Sequence, residues 1–143
     1  MFKKILVPTD GSALSHKAIA GAIELASALG AGIVGYCGAE DYPLSFAEYT
    51  LVDPEQFRRQ ALAGAERHLR HIADAAAAAG VSCRTVAAEC DTVWSGIIDT
   101  ATSQGCDLIF MASHGRRGLS AALLGSETQK VLTHSKIPVL VYR

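Results

Sequence analysis

The chain is predicted to fold as a single α/β domain, residues 1–143, in which helices cover both faces of a five-stranded parallel sheet. Two observations support this class. Short apolar segments alternate with segments of helical periodicity along the whole chain, which is typical of parallel strands joined by right-handed crossovers. In addition, half of the 143 residues are hydrophobic, so the chain can build one sizeable core.

The first half is predicted to contain a strand from Lys4 to Pro8, a helix from Ser12 to about Leu29 and a strand from Ala31 to Cys37. Gly30 ends the helix, because glycine readily adopts the left-handed conformation found after many helices. Residues 38–52 contain a proline and three aromatic residues without clear periodicity. They predict a long loop, Gly38 to Val52, that could act as a lid.

A long helix from Pro54 to about Ala79 opens the second half, because Asp53 is a suitable N-cap and proline is favoured at the first helical position. Its apolar stripe is expected to belong to the core. The remaining predicted elements are a strand from Ser82 to Ala88, a helix from Thr92 to Gln104, a strand from Leu108 to Ala112, a helix from Ser126 to Ser135 and a strand from Val139 to Tyr142.

Charge and hydropathy exclude several classes of partner. The 13 Lys and Arg residues against 14 Asp and Glu residues leave no basic excess for binding a phosphate backbone, so no nucleic-acid partner is expected. No apolar run approaches the length of a membrane span, and the apolar segment after Met1 is too short for a signal peptide. A cytoplasmic protein with no membrane partner is therefore expected.

The cysteines and histidines do not have the spacing of a metal site. Cys37, Cys83, Cys90 and Cys106 form no C-x-x-C pair and are interpreted as small buried hydrophobes. His68 and His71 could share a helix face, but without a nearby third ligand they are interpreted as a solvated helix edge.

The residues from Phe110 to Gly118, followed by Gly125 and Ser126, have the order of strand, glycine-bearing loop and helix start. Glycines allow the backbone to approach a ligand, and the N–H groups at a helix start favour phosphate. Ser126 with Gln129 also fits a capping box, in which case the serine would stabilise only its own helix.

In a sheet of this class, ligands bind outside the carboxyl ends of the strands where the strand order reverses. If the first and fourth strands are neighbours, the loop with Pro8, Thr9, Asp10 and Ser12 and the loop from Ala112 to Gly118 face one crevice. Tyr36 and Cys37, at the end of the second strand, would supply an apolar wall for a base.

The chain resembles the universal stress protein family over nearly its whole length. The resemblance is carried by the opening Lys4 to Ser12, by Ser113-His114-Gly115, by Leu124-Gly125-Ser126 and by the closing Pro138 to Val141. It implies a Rossmann-like sheet, similar to that of adenine nucleotide alpha hydrolase-like proteins, with strand order 3-2-1-4-5. In that order the strand Val139 to Tyr142 lies at the edge of the sheet, and since no charge interrupts its apolar run, a homodimer through this strand is expected. A protein partner that the sequence does not identify is also expected.

The ATP-binding branch of that family has a motif of Gly, two residues, Gly, nine residues, Gly and then Ser or Thr. Here the motif falls on Ala112, Gly115, Gly125 and Ser126, with alanine in place of the first glycine. An alanine there is expected to be tolerated if the backbone is extended, since alanine disfavours only positive φ.

The resemblance therefore implies bound ATP, preferred over GTP, with Asp10 and Thr9 near the nucleotide, Cys37 at the adenine and Gly115 and Gly125 at the phosphates. The full set of residues expected at the nucleotide is Pro8, Thr9, Asp10, Ser12, Cys37, Met111, Ala112, Ser113, His114, Gly115, Arg116, Gly118, Gly125, Ser126, Glu127 and Thr128.

Catalytic groups are scarce. The chain has no P-loop lysine motif and no obvious paired carboxylates or nucleophile–base arrangement, so at most slow ATP hydrolysis is expected. Asp10 could hold a Mg²⁺ ion at the phosphates or could only cap the following turn. The alternatives to a nucleotide-dependent switch are a true ATP hydrolase or nucleotidyl-transfer enzyme, a nucleotide-independent dimeric adaptor and a redox-responsive protein that uses its cysteines.

Overall fold

A computed structural model of the chain describes residues 1–40, 53–115 and 123–143. In order along the chain, its strands and helices are β1 (Lys4–Pro8), α1 (Ala13–Leu29), β2 (Gly32–Glu40), α2 (Pro54–Ala78), β3 (Cys83–Cys90), α3 (Val93–Ser103), β4 (Leu108–Ala112), α4 (Ser126–His134) and β5 (Val139–Tyr142). The five strands form one parallel sheet in the order β3-β2-β1-β4-β5, which confirms the predicted fold and strand order.

Alternate residues of the central strands enter two separate cores. Ile5 and Val7 pack with α1 and α2 on one face, whereas Leu6 packs with α3 and α4 on the other. In β4 every residue is buried, as predicted from its unbroken apolar sequence. The two cores hold β1 and β4 rigidly side by side, and this fixes the loops that follow them.

The predicted helix boundaries agree closely with the structure, because local capping determines them. Ser12 accepts a hydrogen bond from the Ser15 amide at the start of α1, and Gly30 ends the helix with φ of 66°. Asp53 caps α2 by accepting from the Glu55 amide.

Two strands extend further than predicted. β2 continues past Cys37 to Glu40, and β3 continues to Cys90, because the two strands pair as far as Glu40↔Cys90. Gly38, which suggested a loop, pairs with Ala88 within the strand. Glycine suits this position because a side chain there would come within 2.7 Å of Cys90 Sγ. The rest of the predicted lid, residues 41–52, lies outside the described residues.

Within the described ranges, no helix is both long and apolar enough to cross a membrane. Cys37, Cys90 and Cys106 are buried, in agreement with their interpretation as small hydrophobes, whereas Cys83 is half-buried.

Candidate functional site

The loops that follow β1 and β4 meet at the carboxyl edge of the sheet. β1 pairs with β2 on one side and with β4 on the other, so the strand order reverses at this point. A methyl group at Gly115 would overlap the Asp10 carboxylate, which means that the two loops are in direct contact. The two loops predicted to face one crevice therefore do meet, and glycine at position 115 is what allows this approach.

The loop after β1 is held by its own hydrogen bonds. The Thr9 amide donates to the Tyr36 carbonyl at 2.9 Å, and the Gly11 amide donates to Thr9 Oγ1 at 3.1 Å. Ser12 donates its amide to Asp10 Oδ1 at 2.9 Å, so one carboxylate oxygen of Asp10 does stabilise the turn before α1. The other oxygen, Oδ2, faces Gly115. These contacts fix the Asp10 side chain between the two loops.

The loop after β4 is tied to the start of α4. The Gly125 amide donates to the Ser113 carbonyl at 2.8 Å, and a side chain at Gly125 would lie 2.9 Å from His114 Cα. The close backbone approach is what requires glycine at position 125. The Gly125 φ of −60° would suit any residue and does not require it. His114 is half-buried, and its Nδ1 lies 3.1 Å from Ser113 Oγ.

The predicted capping box at the start of α4 is wrong. Gly125 is the N-cap and makes no side-chain hydrogen bond to the first turn, so Ser126 is already inside the helix. Gln129 donates its side-chain amide to the Leu124 carbonyl at 2.9 Å and does not return to the cap. Because a helix leaves its first N–H groups without intrahelical partners, this end of α4 offers donors to an anion.

Three of the predicted site residues have side chains that bind or pack against neighbouring elements of the protein. Thr128 is 2% exposed and donates its hydroxyl to the Ala112 carbonyl at 3.1 Å. Glu127 accepts the Trp94 amide at 2.9 Å, so its carboxylate joins α4 to α3. Met111 is buried in the core under α3 and α4. Because their side chains are buried, Thr128 and Met111 can contribute only backbone groups to a ligand, whereas the Glu127 side chain is half-buried.

Ala112, which replaces the first glycine of the motif, ends β4 in an extended conformation. Since no described non-glycine residue has a positive φ, the backbone there needs no glycine.

The predicted apolar wall at the end of β2 is divided between two faces. Tyr36 packs with the α3 side of the sheet and Cys37 with the α1 side, because successive side chains of a strand point in opposite directions. At 5% exposure, Cys37 is largely covered by its core. Pro8 is half-buried, whereas Arg116 and Gly118 lie outside the described residues.

His68 was interpreted from the sequence as part of a solvated helix edge, but it is half-buried and lies against the β1 loop. Its imidazole lies against Gly11, where a methyl group would overlap the ring and lie 2.8 Å from Nε2. Gly11 also has φ of 77°, which favours glycine independently. His71 stacks on His16 with the ring centroids 4.1 Å apart. The only sequence signal for His68 was its position three residues after buried Ala65, on the flank of the apolar stripe.

Metal-binding groups are sparse in the part of the chain that the structure describes, where no cluster of three or more His, Cys, Asp or Glu side chains is placed to hold an ion. Asp10 is the carboxylate at the junction of the two loops, so any cation there would depend on a ligand for its other partners.

A parallel sheet whose strand order reverses between β1 and β4 defines the doubly wound class of α/β proteins. The profile of the universal stress protein family matches residues 1–143, and the chain belongs to this family.

Known relatives agree with this assignment. The universal stress protein YxiE of Bacillus subtilis is 32% identical over 149 residues, covering 100% of both chains. Protein MJ0577 of Methanocaldococcus jannaschii superimposes with a TM-score of 0.85 at 25% identity, covering 99% of this chain and 95% of that one. A universal stress protein from Archaeoglobus fulgidus, solved in complex with dAMP, has a TM-score of 0.69 at 16% identity and covers 99% and 98% of the two chains.

Proposed function

We propose that this universal stress protein binds ATP in the crevice between the β1 and β4 loops and acts as a cytoplasmic, nucleotide-dependent switch in stress response or signalling. The observation that carries the proposal is the contact between Asp10 and Gly115, because it brings a polar loop beside the uncapped start of α4. The dAMP complex of the Archaeoglobus fulgidus protein supports an adenine nucleotide as the ligand.

The residues of the crevice suit a polyphosphate. Side chains are excluded at both Gly115 and Gly125, and the first turn of α4 presents backbone donors beside them. Such donors are matched to phosphate oxygens and lie at the positive end of the helix dipole. Gly115, Gly125 and Ser126 would hold the phosphates, whereas Thr9 and Asp10 would lie near the rest of the nucleotide.

Bound ATP would supply a phosphoanhydride, but the chain offers little to cleave it. Asp10 is the carboxylate at the loop junction, and His114 is the imidazole on the β4 loop. Asp10 accepts the Ser12 amide within its own turn, and a Mg²⁺ ion held mainly by phosphate would lie beside this carboxylate. We therefore propose slow hydrolysis at most, with nucleotide occupancy altering partner binding.

We further propose a homodimer through β5, which lies at the edge of the sheet and exposes 36% of Leu140. Ile109 donates to the Pro138 carbonyl and Ser113 to the Tyr142 carbonyl. In a parallel ladder, alternate residues point their backbone groups toward the same neighbour. The backbone groups of Val139 and Val141 therefore point outward and can pair with a second copy.

Titration calorimetry with ATP, GTP and AMP tests the nucleotide site directly. We expect ATP to bind more tightly than GTP, since polar groups matched to one base edge are left unpaired by the other. Gly125→Ala should weaken ATP binding at least tenfold, because its methyl group would displace the His114 backbone. Gly64→Ala is the matched control, since Gly64 lies in α2 with only an ordinary 3.6 Å contact to Arg67.

Failure of ATP to bind folded wild-type protein would refute the nucleotide switch and favour the adaptor function. ATP turnover that is fast and is lost in Asp10→Asn or His114→Ala would instead indicate an enzyme.

A further inference from the structure

Glu127 is the second residue of α4, the helix whose start we propose as the phosphate site. The first backbone hydrogen bond inside α4 joins the Gln129 amide to the Gly125 carbonyl at 3.0 Å. The amides of residues 126–128 precede this bond, so they are the donors that the helix start offers to an anion. The Glu127 amide is one of these donors. A negatively charged side chain is therefore attached to the backbone that would bind phosphate.

Two contacts hold the Glu127 carboxylate close to this helix start. Its Oε2 accepts the Trp94 amide at 2.9 Å, at the beginning of α3, and its Oε1 lies 3.5 Å from Lys130 Nζ, one turn further along α4. Thr92, the N-cap of α3, makes no side-chain hydrogen bond to its own helix, so Glu127 accepts a hydrogen bond at the start of α3 instead. The Glu127 carboxylate is thus anchored by α3 and does not point freely into solvent.

The carboxylate and a bound phosphate would share the positive end of one helix. The partial positive charge at a helix start stabilises an acidic side chain in the first turn, and it stabilises a phosphate group by the same attraction. A phosphate that arrives beside Glu127 is also repelled by its charge. Lys130 offsets this repulsion only in part, because half of its side chain is exposed to solvent. Glu127 therefore stabilises α4 in the free protein and opposes the binding of an anion at its start.

We propose that Glu127 is a specificity-determining residue of the nucleotide site, which weakens the binding of ATP more than that of AMP. This inference rests on the proposed ATP site at the start of α4. ATP carries two more phosphate groups than AMP, and the repulsion increases with the negative charge that the ligand brings near the carboxylate. The preference for ATP over AMP is then smaller than the backbone donors alone would give.

The experiment is titration calorimetry of wild type and Glu127→Gln with ATP and with AMP, at low ionic strength and without added metal so that ATP keeps its full charge. Glutamine retains an oxygen that can accept the Trp94 amide and removes only the charge. We expect Glu127→Gln to bind ATP about two- to fivefold more tightly, the range for one charge at a helix end, and to bind AMP more tightly by a smaller factor. Added salt should reduce the gain.

Urea denaturation of the same proteins separates this role from a merely structural one. Glu127→Gln should lower the urea midpoint, because α4 loses the acidic residue of its first turn and the ion pair with Lys130. Stability and ATP affinity should therefore change in opposite directions. A residue that only supported the fold would, when replaced, lower the stability and both nucleotide affinities together.

Two further variants complete the test. Glu24→Gln is the matched control, since it makes the same change in net charge at an exposed position in the half of α1 away from the β1 loop. Glu127→Asp keeps the charge and shortens the side chain. Both should retain the wild-type ratio of ATP affinity to AMP affinity, and circular dichroism should show that all variants are folded.

An unchanged ratio in Glu127→Gln would overturn the role of Glu127 while leaving the nucleotide site intact. An equal gain in Glu24→Gln, or a gain that persists at high salt, would overturn it as well. Failure of the wild-type protein to bind ATP would refute the nucleotide site and this inference with it.

Discussion

The replacement Gly11→Ala tests the junction between the β1 loop and α2. Two separate costs are expected at this position. Alanine at φ of 77° is disfavoured by roughly 1–2 kcal/mol relative to glycine, and its methyl group also overlaps the His68 imidazole. Overpacking of this kind adds about 1–3 kcal/mol. The free energy of unfolding should therefore fall by roughly 2–5 kcal/mol in all.

The chain contains an internal control that separates the two costs. Gly30 has φ of 66° but nothing within 4 Å of an added methyl group, so Gly30→Ala reports the backbone cost alone. Urea denaturation of both variants should show the larger loss for Gly11→Ala. The cost of Gly11→Ala should also be measured in a His68→Ala background, as the difference in unfolding free energy between the double variant and His68→Ala alone. Without the imidazole, this cost should fall to about that of Gly30→Ala.

Equal losses for Gly11→Ala and Gly30→Ala would refute the contact with His68. The contact would also be refuted if Gly11→Ala cost the same unfolding free energy with and without the His68 side chain. Complete recovery in the double variant would instead show that the positive φ at Gly11 carries no cost. ATP titration of the same proteins adds a functional measurement, and Gly11→Ala should weaken binding more than Gly30→Ala because only the former displaces the crevice loop.

Three further predictions follow from the sheet and its cores. Ala112→Gly should lower the free energy of unfolding by about 0.5–1 kcal/mol in denaturation experiments while leaving ATP affinity equal or higher; a large loss of affinity would show that the motif is misaligned. Val141→Pro should convert a dimer to a folded monomer in sedimentation, because the amide that it removes points outward. Leu140→Pro should also damage the pairing with β4. A wild-type monomer at micromolar concentration would contradict the dimer. Burial raises the pKa of Cys106 to about 11, so its thiol stays protonated at pH 8 and should be alkylated by iodoacetamide far more slowly in the native than in the unfolded protein. Mass spectrometry would detect the difference, and rapid alkylation of the native protein would instead favour redox function.

The strands and helices were accessible from the sequence because each depends on neighbouring residues. Gly30 ends α1 through its own backbone conformation, and Asp53 caps α2 from the adjacent position. The unbroken apolar sequence of β4 likewise predicted a strand buried on both faces. The ends of β2 and β3 were not accessible in this way, because pairing between distant residues such as Gly38 and Ala88 extends both strands.

The candidate site likewise has features that follow from nearby residues and features that depend on distant ones. The sequence alone determined that two polar loops follow β1 and β4, that glycines occur at positions 115 and 125, and that the chain resembles the universal stress proteins. Only the tertiary structure decided which groups meet: the Asp10 carboxylate with Gly115, and the His68 imidazole with Gly11. The physical reason is that periodicity and capping are encoded over a few residues, whereas these contacts join segments that are distant in the chain and are brought together only when both faces of the sheet are packed.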